Sequence, residues 1–569
     1  MINRRENRLG YFPRIMIWLF SLFIFFGLAG TWLPSFGYLP IIGNTEFSFK
    51  PWHDFLTYPG FLNSLKSTLI SGLGASLTAL TLAIGVVSLS YGNRAWSLFE
   101  KFLAPILSIP HAGFAIGLAF LISPSGWIFR FISPELSGFV NPPDWAIIKD
   151  GFGLSLMFCM ILKETPFLLL MIMGSLSRID IQGTLAVGRS LGYNKFQVWF
   201  KVIVPQFFPD IRLPFYAVIA YSLSVVDLAV IIGPTAPPTL PVLILQWFND
   251  PDIAMRLTGA AGACFLLILV VLIISLMFLL EKATVVILSK KAVDGKRKSI
   301  LSHITRVSDL TIFSFLFFTI MALAVLVVWS FTWRWRFPDV FPESWSLLFW
   351  QKSFMKVKDP MLITFVTAFV STIISLILTI GCLEYELTIP KEKLTNDLSR
   401  LIWFLYLPLL IPQIAFIFGV QIILTILGLD GLWITLALSH LIFVQPYVFL
   451  TLSSIYRNFD IQYTNIGAIL CGSYLKAFIF IKLPMLMRPV LFAFAVGFSV
   501  SVAQYIPTVF IGAGRFATIT TEAVNIAGGS DRRVVAVYAL YQLLLPMTLY
   551  LLAIFAPKIA FRNRKKMQV

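Results

Sequence analysis

Charged residues make up only 12% of this 569-residue chain. A soluble domain carries about 25%, so a large water-exposed surface is excluded. Cysteine is scarce as well. Cys159, Cys264, Cys382 and Cys471 are scattered, and they form neither a disulfide framework nor a metal-binding spacing. The four histidines, His53, His111, His303 and His440, do not cluster. There is no Gly-x4-Gly-Lys-Ser/Thr, so no P-loop cradles nucleotide phosphates. Gly295-Lys296 lacks both the upstream Gly and the following Ser or Thr. HExxH is missing, and so is the acidic cluster that a membrane prenyl transferase needs. These absences leave a membrane enzyme without chemistry.

What the chain has is apolar length. It is 58% hydrophobic and 15% aromatic, in runs long enough to cross a bilayer. Twelve spans are read near 15–33, 62–90, 102–122, 152–175, 213–233, 258–280, 309–330, 360–383, 401–427, 432–455, 489–512 and 536–556. The net charge of +17 raises nucleic acid as a partner, but its distribution argues against that. With the N-terminus inside, the inside segments hold 30 of the 44 Lys and Arg and the outside segments hold 12. That asymmetry is the positive-inside rule, and it predicts both termini in the cytoplasm. The tail Arg562-Asn563-Arg564-Lys565-Lys566 reads as a topology anchor beside anionic lipid. The start, Asn3-Arg4-Arg5 and then Trp18 to Trp32, resembles a signal peptide. Thr31-Trp32-Leu33-Pro34 is a poor cleavage site, so it is read as an uncleaved first span.

An internal repeat divides the chain. Asp180-Ile181-Gln182, Thr184 and Gly192 return as Asp460-Ile461-Gln462, Thr464 and Gly472, with Pro166 and Pro446 at the same offset upstream. Val204-Pro205 and Leu483-Pro484 close the two copies. Further landmarks align: Thr31-Trp32 with Thr332-Trp333, Ala83-Ile84-Gly85 with Thr379-Ile380-Gly381, and Ile109-Pro110-His111 with Ile411-Pro412-Gln413. The expected architecture is an all-α polytopic membrane protein with about twelve transmembrane helices. Two six-helix halves, 1–285 and 309–569, are joined by a basic linker at 286–308. Equal orientation predicts a pseudo-twofold along the membrane normal, with a shared pathway on it.

The repeated loops, 176–212 and 456–488, read as helix-turn-helix brackets. Asp180 caps a first helix that Gly192 ends in the left-handed conformation. Asn194 caps a second, with Phe196, Trp199, Phe200 and Ile203 as an apolar stripe and Pro205 as its stop. The second copy has Ser473 as cap, Leu475, Phe478 and Ile479 as stripe, and Pro484 as stop. An amphipathic helix lying on lipid is the plainer alternative. Two copies in matching register favour a handle presented to a partner.

The bracket resembles the EAA loop of type I, binding-protein-dependent ABC importer permeases. The matching residues are Ala186-Val187-Gly188 through Gly192 to Pro205, and Ile466-Gly467-Ala468 through Gly472 to Pro484. The family's Glu is replaced by Ala186 and Ile466, and the second copy is one residue shorter. The whole chain looks like the fused double permeases of the thiamine and ferric-iron group. Gly512-Ala513-Gly514-Arg515 through Glu522 and Arg532-Arg533 resembles that group's last outside loop. The resemblance implies a permease of the bacterial inner membrane with no cofactor of its own. It also implies two cytoplasmic ATPase subunits that bind ATP and grip the loops, and an extracytoplasmic solute-binding protein. The coupling residues it marks are Asp180, Gly188, Leu191, Gly192, Phe196, Phe200 and Pro205, then Asp460, Gly467, Gly472, Leu475, Phe478 and Pro484. Nucleic acid is not an expected partner; membrane lipid is.

Ionisable groups inside spans are costly and mark pathway candidates. These are Glu164, beside Lys163; Asp227, with Gln504 in the corresponding region of the other half; and His111, matched by Gln413. Adjacent helical residues point about 100° apart, so no clean Lys163–Glu164 pair is expected. Asp227 and Gln504 are alternatively caps on broken helices, and His111 a packed core residue. Thr520, Thr521 and Glu522 are read as part of a gate or a docking surface. A twelve-span transporter driven by an ion gradient shares the span count but does not need paired handles.

Overall fold

The computed structural model describes residues 9–292, 305–388 and 404–562. The basic run Lys296-Arg297-Lys298 of the expected linker and the anchor residues after Arg562 lie outside them. Apart from a two-stranded antiparallel ribbon, β1 (Thr332–Arg334) and β2 (Ser344–Trp345), and two isolated bridges, the described residues form helices, turns and loops.

Among the described residues ten helices are long and apolar enough to cross a membrane, and two bent pairs raise the number to twelve. In order the spans are Tyr11–Ser35, Phe61–Ser90, His111–Ile132, Leu154–Leu176, Lys195–Ser224 and Met255–Ala292. The second set is Thr305–Ser330, Leu348–Glu386, Phe404–Leu410 with Gln413–Ile426, Trp433–Arg457, Tyr474–Met485 with Met487–Val502, and Arg532–Ala560. All twelve expected spans have a counterpart. Trp18, Leu272, Ile320 and Leu552 point outward unpartnered, as lipid-facing side chains must.

Packing repeats between the halves. The second span packs on the fourth as the eighth does on the tenth, and the fifth on the second as the eleventh does on the eighth. The first span crosses over to pack on Gln413–Ile426 of the ninth, and the seventh packs on His111–Ile122 of the third. Small residues allow these crossings, which van der Waals contact rather than hydrophobicity drives in lipid. A Cβ on Gly419 would fall 1.8 Å from the Gly27 carbonyl oxygen, and one on Gly117 would fall 2.3 Å from that of Ala322. Thr31 Oγ1 accepts the Gly419 N–H at 3.0 Å.

At the end away from the brackets, Arg130 ties the halves together. Its guanidinium donates to the carbonyls of Arg336 (2.5 Å) and Asp339 (2.9 Å) and lies over the Trp335 ring. Two short helices, Leu240–Phe248 and Ile519–Ala527, dip back into the bundle in equivalent places. Each has its first N–H bonded to a threonine hydroxyl, Leu240 to Thr68 (2.8 Å) and Ile519 to Thr364 (2.9 Å). Thr68 and Thr364 stand at the same offset as Ala83 and Thr379.

Candidate functional site: paired brackets and a polar centre

Both brackets form. In the first, the Asp180 carboxylate accepts the Gly183 N–H at 3.0 Å and opens helix Ile181–Ser190. In the second, Asp460 accepts the Gln462 N–H at 2.9 Å and opens Ile461–Cys471. Gly192 and Gly472 turn the chain with φ of +82° and +63°, where a Cβ is strained. Gly188 and Gly467 mark where the two helices of each bracket cross. Their Cβ atoms would meet Val198 and Ile481 side chains at 2.3 Å each. Asp180, Gly183, Thr184, Val187, Leu191 and Lys201 border a cleft of about 500 Å³ in the first bracket.

Four expectations are corrected. Pro205 does not stop its helix, whereas the helix at Pro484 ends one residue later, at Met485. A π-helical turn, Trp199–Ile203 or Phe478–Lys482, precedes each proline, and the first helix runs on to Ser224. Bonding to the fifth residue instead of the fourth absorbs the missing N–H and the ring. The eleventh span bends by 75° just after, between Met485 and Met487. The expected stripe holds in the first bracket and fails in the second. In the first bracket Trp199 and Ile203 are buried, and Phe196 and Phe200, half-buried, pack at 4.3 Å. In the second, Ala477 and Lys482 are buried, Phe478 is half-buried, and Leu475 and Ile479 are exposed. Ser473 occupies the N-cap position, but its side chain makes no capping bond. Asn194 and Gln197 form a full capping box. Finally, Thr520 and Thr521 are buried, so they offer no docking surface. Thr520 donates to the Val502 carbonyl and accepts from Gln542 at 2.7 Å.

The brackets are fastened differently. Lys195 Nζ donates to the carbonyls of Leu89 (3.2 Å) and Tyr91 (3.3 Å) at the end of the second span. In the second bracket the wholly buried Lys482 ammonium pairs with Glu384 of the eighth span. Tyr456 (2.5 Å) and Tyr474 (3.0 Å) donate to the same carboxylate, and Arg457 grips Glu386 with two bonds. The aligned landmarks put Ser88 where Glu384 stands.

Halfway through the bundle lie four helix breaks, and four of the five pathway candidates sit on them; Glu164 lies within helix Leu154–Leu176. His111 and Gln413 begin helices after the Ile-Pro steps. The fifth span ends at Ser224, and Asp227, expected at its end, begins a separate helix, Asp227–Ile232. Gln504 lies in the break between Met487–Val502 and Ile506–Ile511. The structure gathers these residues. His111 Nε2 is 3.7 Å from Glu164, and Asp227 is within electrostatic reach of His111. Gln413 donates to Gln504 at 3.3 Å. Asp227 is also within electrostatic reach of Tyr505 of the other half, and Glu164 of Tyr447.

Lys163 turns away from this centre. Its Nζ donates to the carbonyls of Ile109 (2.8 Å) and Ile106 (3.3 Å), closing the end of helix Arg94–Ser108. His440 bridges Ser501 (2.8 Å) and Thr508 (3.0 Å) on either side of the break in the eleventh span. Tyr221, whose ring is 5.3 Å from the His111 ring, and Tyr447 were not singled out by sequence. A tyrosine hydroxyl in mid-span is a legible signal, because it needs a partner there. Among the described residues no group of three or more His, Cys, Asp or Glu could hold a metal ion.

No family model matches the chain. It is 31% identical over 514 residues to the inner membrane ABC transporter permease protein YnjC of Escherichia coli (strain K12), covering 90% of this chain and 91% of that protein. A twelve-span bundle without a nucleotide site, similar to that protein along almost its whole length, is a transport subunit that works with separate ATPases: the chain belongs to the inner membrane ABC transporter permeases.

Proposed function

We propose that this permease is a fused double importer subunit. Its halves, 1–285 and 309–569, face each other across a pseudo-twofold along the membrane normal, and both termini are cytoplasmic. The coupling loops, 176–212 and 456–488, each seat one copy of an ATPase. A solute-binding protein delivers the solute to the opposite face. The single observation that carries this reading is the duplicated bracket: the same Asp cap, crossing Gly and left-handed turn Gly between equivalent spans, twice.

The solute then passes the centre built from His111, Glu164 and Asp227 on one side and Gln413 and Gln504 on the other. Broken helices supply polar groups at membrane depth only where they line a cavity or are buried in protein. Thiamine-like cations and chelated ferric iron are the solute classes that the resemblance brings. Family membership removes the ion-gradient alternative, since an ABC permease works with ATPase subunits.

Copurification from membranes tests the coupling. The wild-type chain is expected to bring down its ATPase with solute-stimulated ATP hydrolysis. Gly192→Pro together with Gly472→Pro should lose both. Retention of the ATPase by that double variant would move the docking site elsewhere.

A further inference from the structure

The two coupling loops present different chemistry at equivalent positions. Between Pro166 and Gly192, and between Pro446 and Gly472, the register holds without a gap. On the outward face of the second loop's first helix stand Tyr463 (54% exposed), Ile466 (58%), Ile469 (81%) and Leu470 (79%). Their counterparts in the first loop are Gly183, Ala186, Arg189 and Ser190. Residues at i, i+3 and i+7 share a helix face, so Tyr463, Ile466 and Leu470 form one ridge with Ile469 at its edge. The inner face of the same helix is already covered, by the contact of Gly467 with Ile481 and Ala477. The Phe459 ring stands 6.3 Å from that of Tyr463, and the rest of the ridge is open.

We propose that the second loop is the primary anchor of the ATPase, its ridge seated in an apolar groove of that subunit, and that the first loop is a weaker, more polar contact. This rests on the coupling reading above. Lipid is disfavoured as the cover by the first loop. Its bracket has the same cap and turn, and at the matched positions it exposes Arg189 and Ser190, so this depth is aqueous. A contiguous apolar face in water marks a protein contact. The first loop exposes a smaller apolar pair, Val187 (61%) and Leu191 (54%), which borders a cleft with Lys201 and Asp180 at its polar edges.

Cys471, next to Leu470, is the exposed member of the four cysteines; Cys159, Cys264 and Cys382 are buried. It therefore reports on this surface in the intact chain. The experiment uses full-length protein in lipid nanodiscs, titrated with its ATPase while maleimide labelling of Cys471 is followed. The expected result is that the ATPase protects Cys471. Ile469→Ser with Leu470→Ser should weaken ATPase binding roughly tenfold or more, as loss of a central apolar anchor does. Val187→Ser with Leu191→Ser should weaken it no more than about threefold. Because the ridge side chains are exposed, the double serine variant should keep the wild-type melting temperature, which separates docking from folding. Equal losses at the two loops would overturn the asymmetry and leave the coupling reading standing. A Cys471 that is already shielded in nanodiscs without ATPase, and reactive in detergent, would assign the ridge to lipid. Self-association of the chain abolished by the serine variant would assign it to a second copy. If no ATPase binds the wild type, the coupling reading fails, and this one with it.

Discussion

The two brackets have one backbone and two chemistries. The first is held by an Asn194–Gln197 capping box, by buried Trp199 and Ile203, and by Lys195 on main-chain carbonyls. The second has no such cap, and a buried lysine–carboxylate pair with two tyrosines does the fastening. The centre shows the same division. One half contributes His111, Glu164 and Asp227; the other contributes amides, Gln413 and Gln504, where Glu164 is matched by Val444. A duplicated fold thus preserves where helices break and turn, while the side chains that hold those places diverge. Backbone geometry needs only a cap, a left-handed glycine and a small crossing residue, and several sets of contacts satisfy the rest.

This comparison breaks most easily at Glu384. Glu384→Ala strands the Lys482 charge in a buried site, which costs about 3–5 kcal/mol. A large fall in melting temperature is expected, partly recovered by adding Lys482→Met. The matched Ser88→Ala should cost about 1 kcal/mol or less, since its hydroxyl bonds only within its own helix, to Gly85. Equal losses from Glu384→Ala and Ser88→Ala would show that the halves are fastened alike.

The crossovers should behave symmetrically. Gly419→Ala and Gly117→Ala both push a methyl into a carbonyl of the other half's first span, and each is expected to cost about 1–3 kcal/mol. Thermal unfolding in detergent checks this, and a neutral Gly117→Ala would mean that the seventh span packs more loosely than the first. At the centre, Glu164→Gln and Asp227→Asn are expected to lower transport about tenfold with ATPase binding intact, the worth of a lost charge-assisted contact. Gln413→Ala should lower it only a few-fold. Transport in vesicles with the binding protein and ATPase present separates the two. The smallest difference is at the caps. Asn194→Ala should cost about 1 kcal/mol and Ser473→Ala close to nothing, because Ser473 makes no capping bond.

Much of the architecture was legible because lipid enforces it. Every apolar run of sufficient length became a span, and Asp180, Asp460, Gly192 and Gly472 cap and turn as their residue types require. The polar candidates His111, Glu164, Asp227, Gln413 and Gln504 were legible one by one, as costly groups in apolar segments. Their assembly was not, because it depends on where four helix breaks meet. Pro205 misled for a local reason: a π turn before it lets the helix run on, and neither residue type nor spacing announces one. In the second bracket Leu475 and Ile479 are exposed and Lys482 is buried, a difference that residue type alone does not announce.

By itself the sequence determined that the chain crosses a membrane many times, is built twice, and carries a bracket in each half. Hydropathy, caps and turn glycines act over a few residues, so they can be read in order. Only the tertiary structure decided that the first and seventh spans exchange halves, that Thr68 and Thr364 hold the re-entrant helices, and that Lys482 meets Glu384. Those contacts join residues far apart in the chain. They form where small side chains permit close approach and where a buried charge must find its partner, and both conditions exist only once the helices have packed.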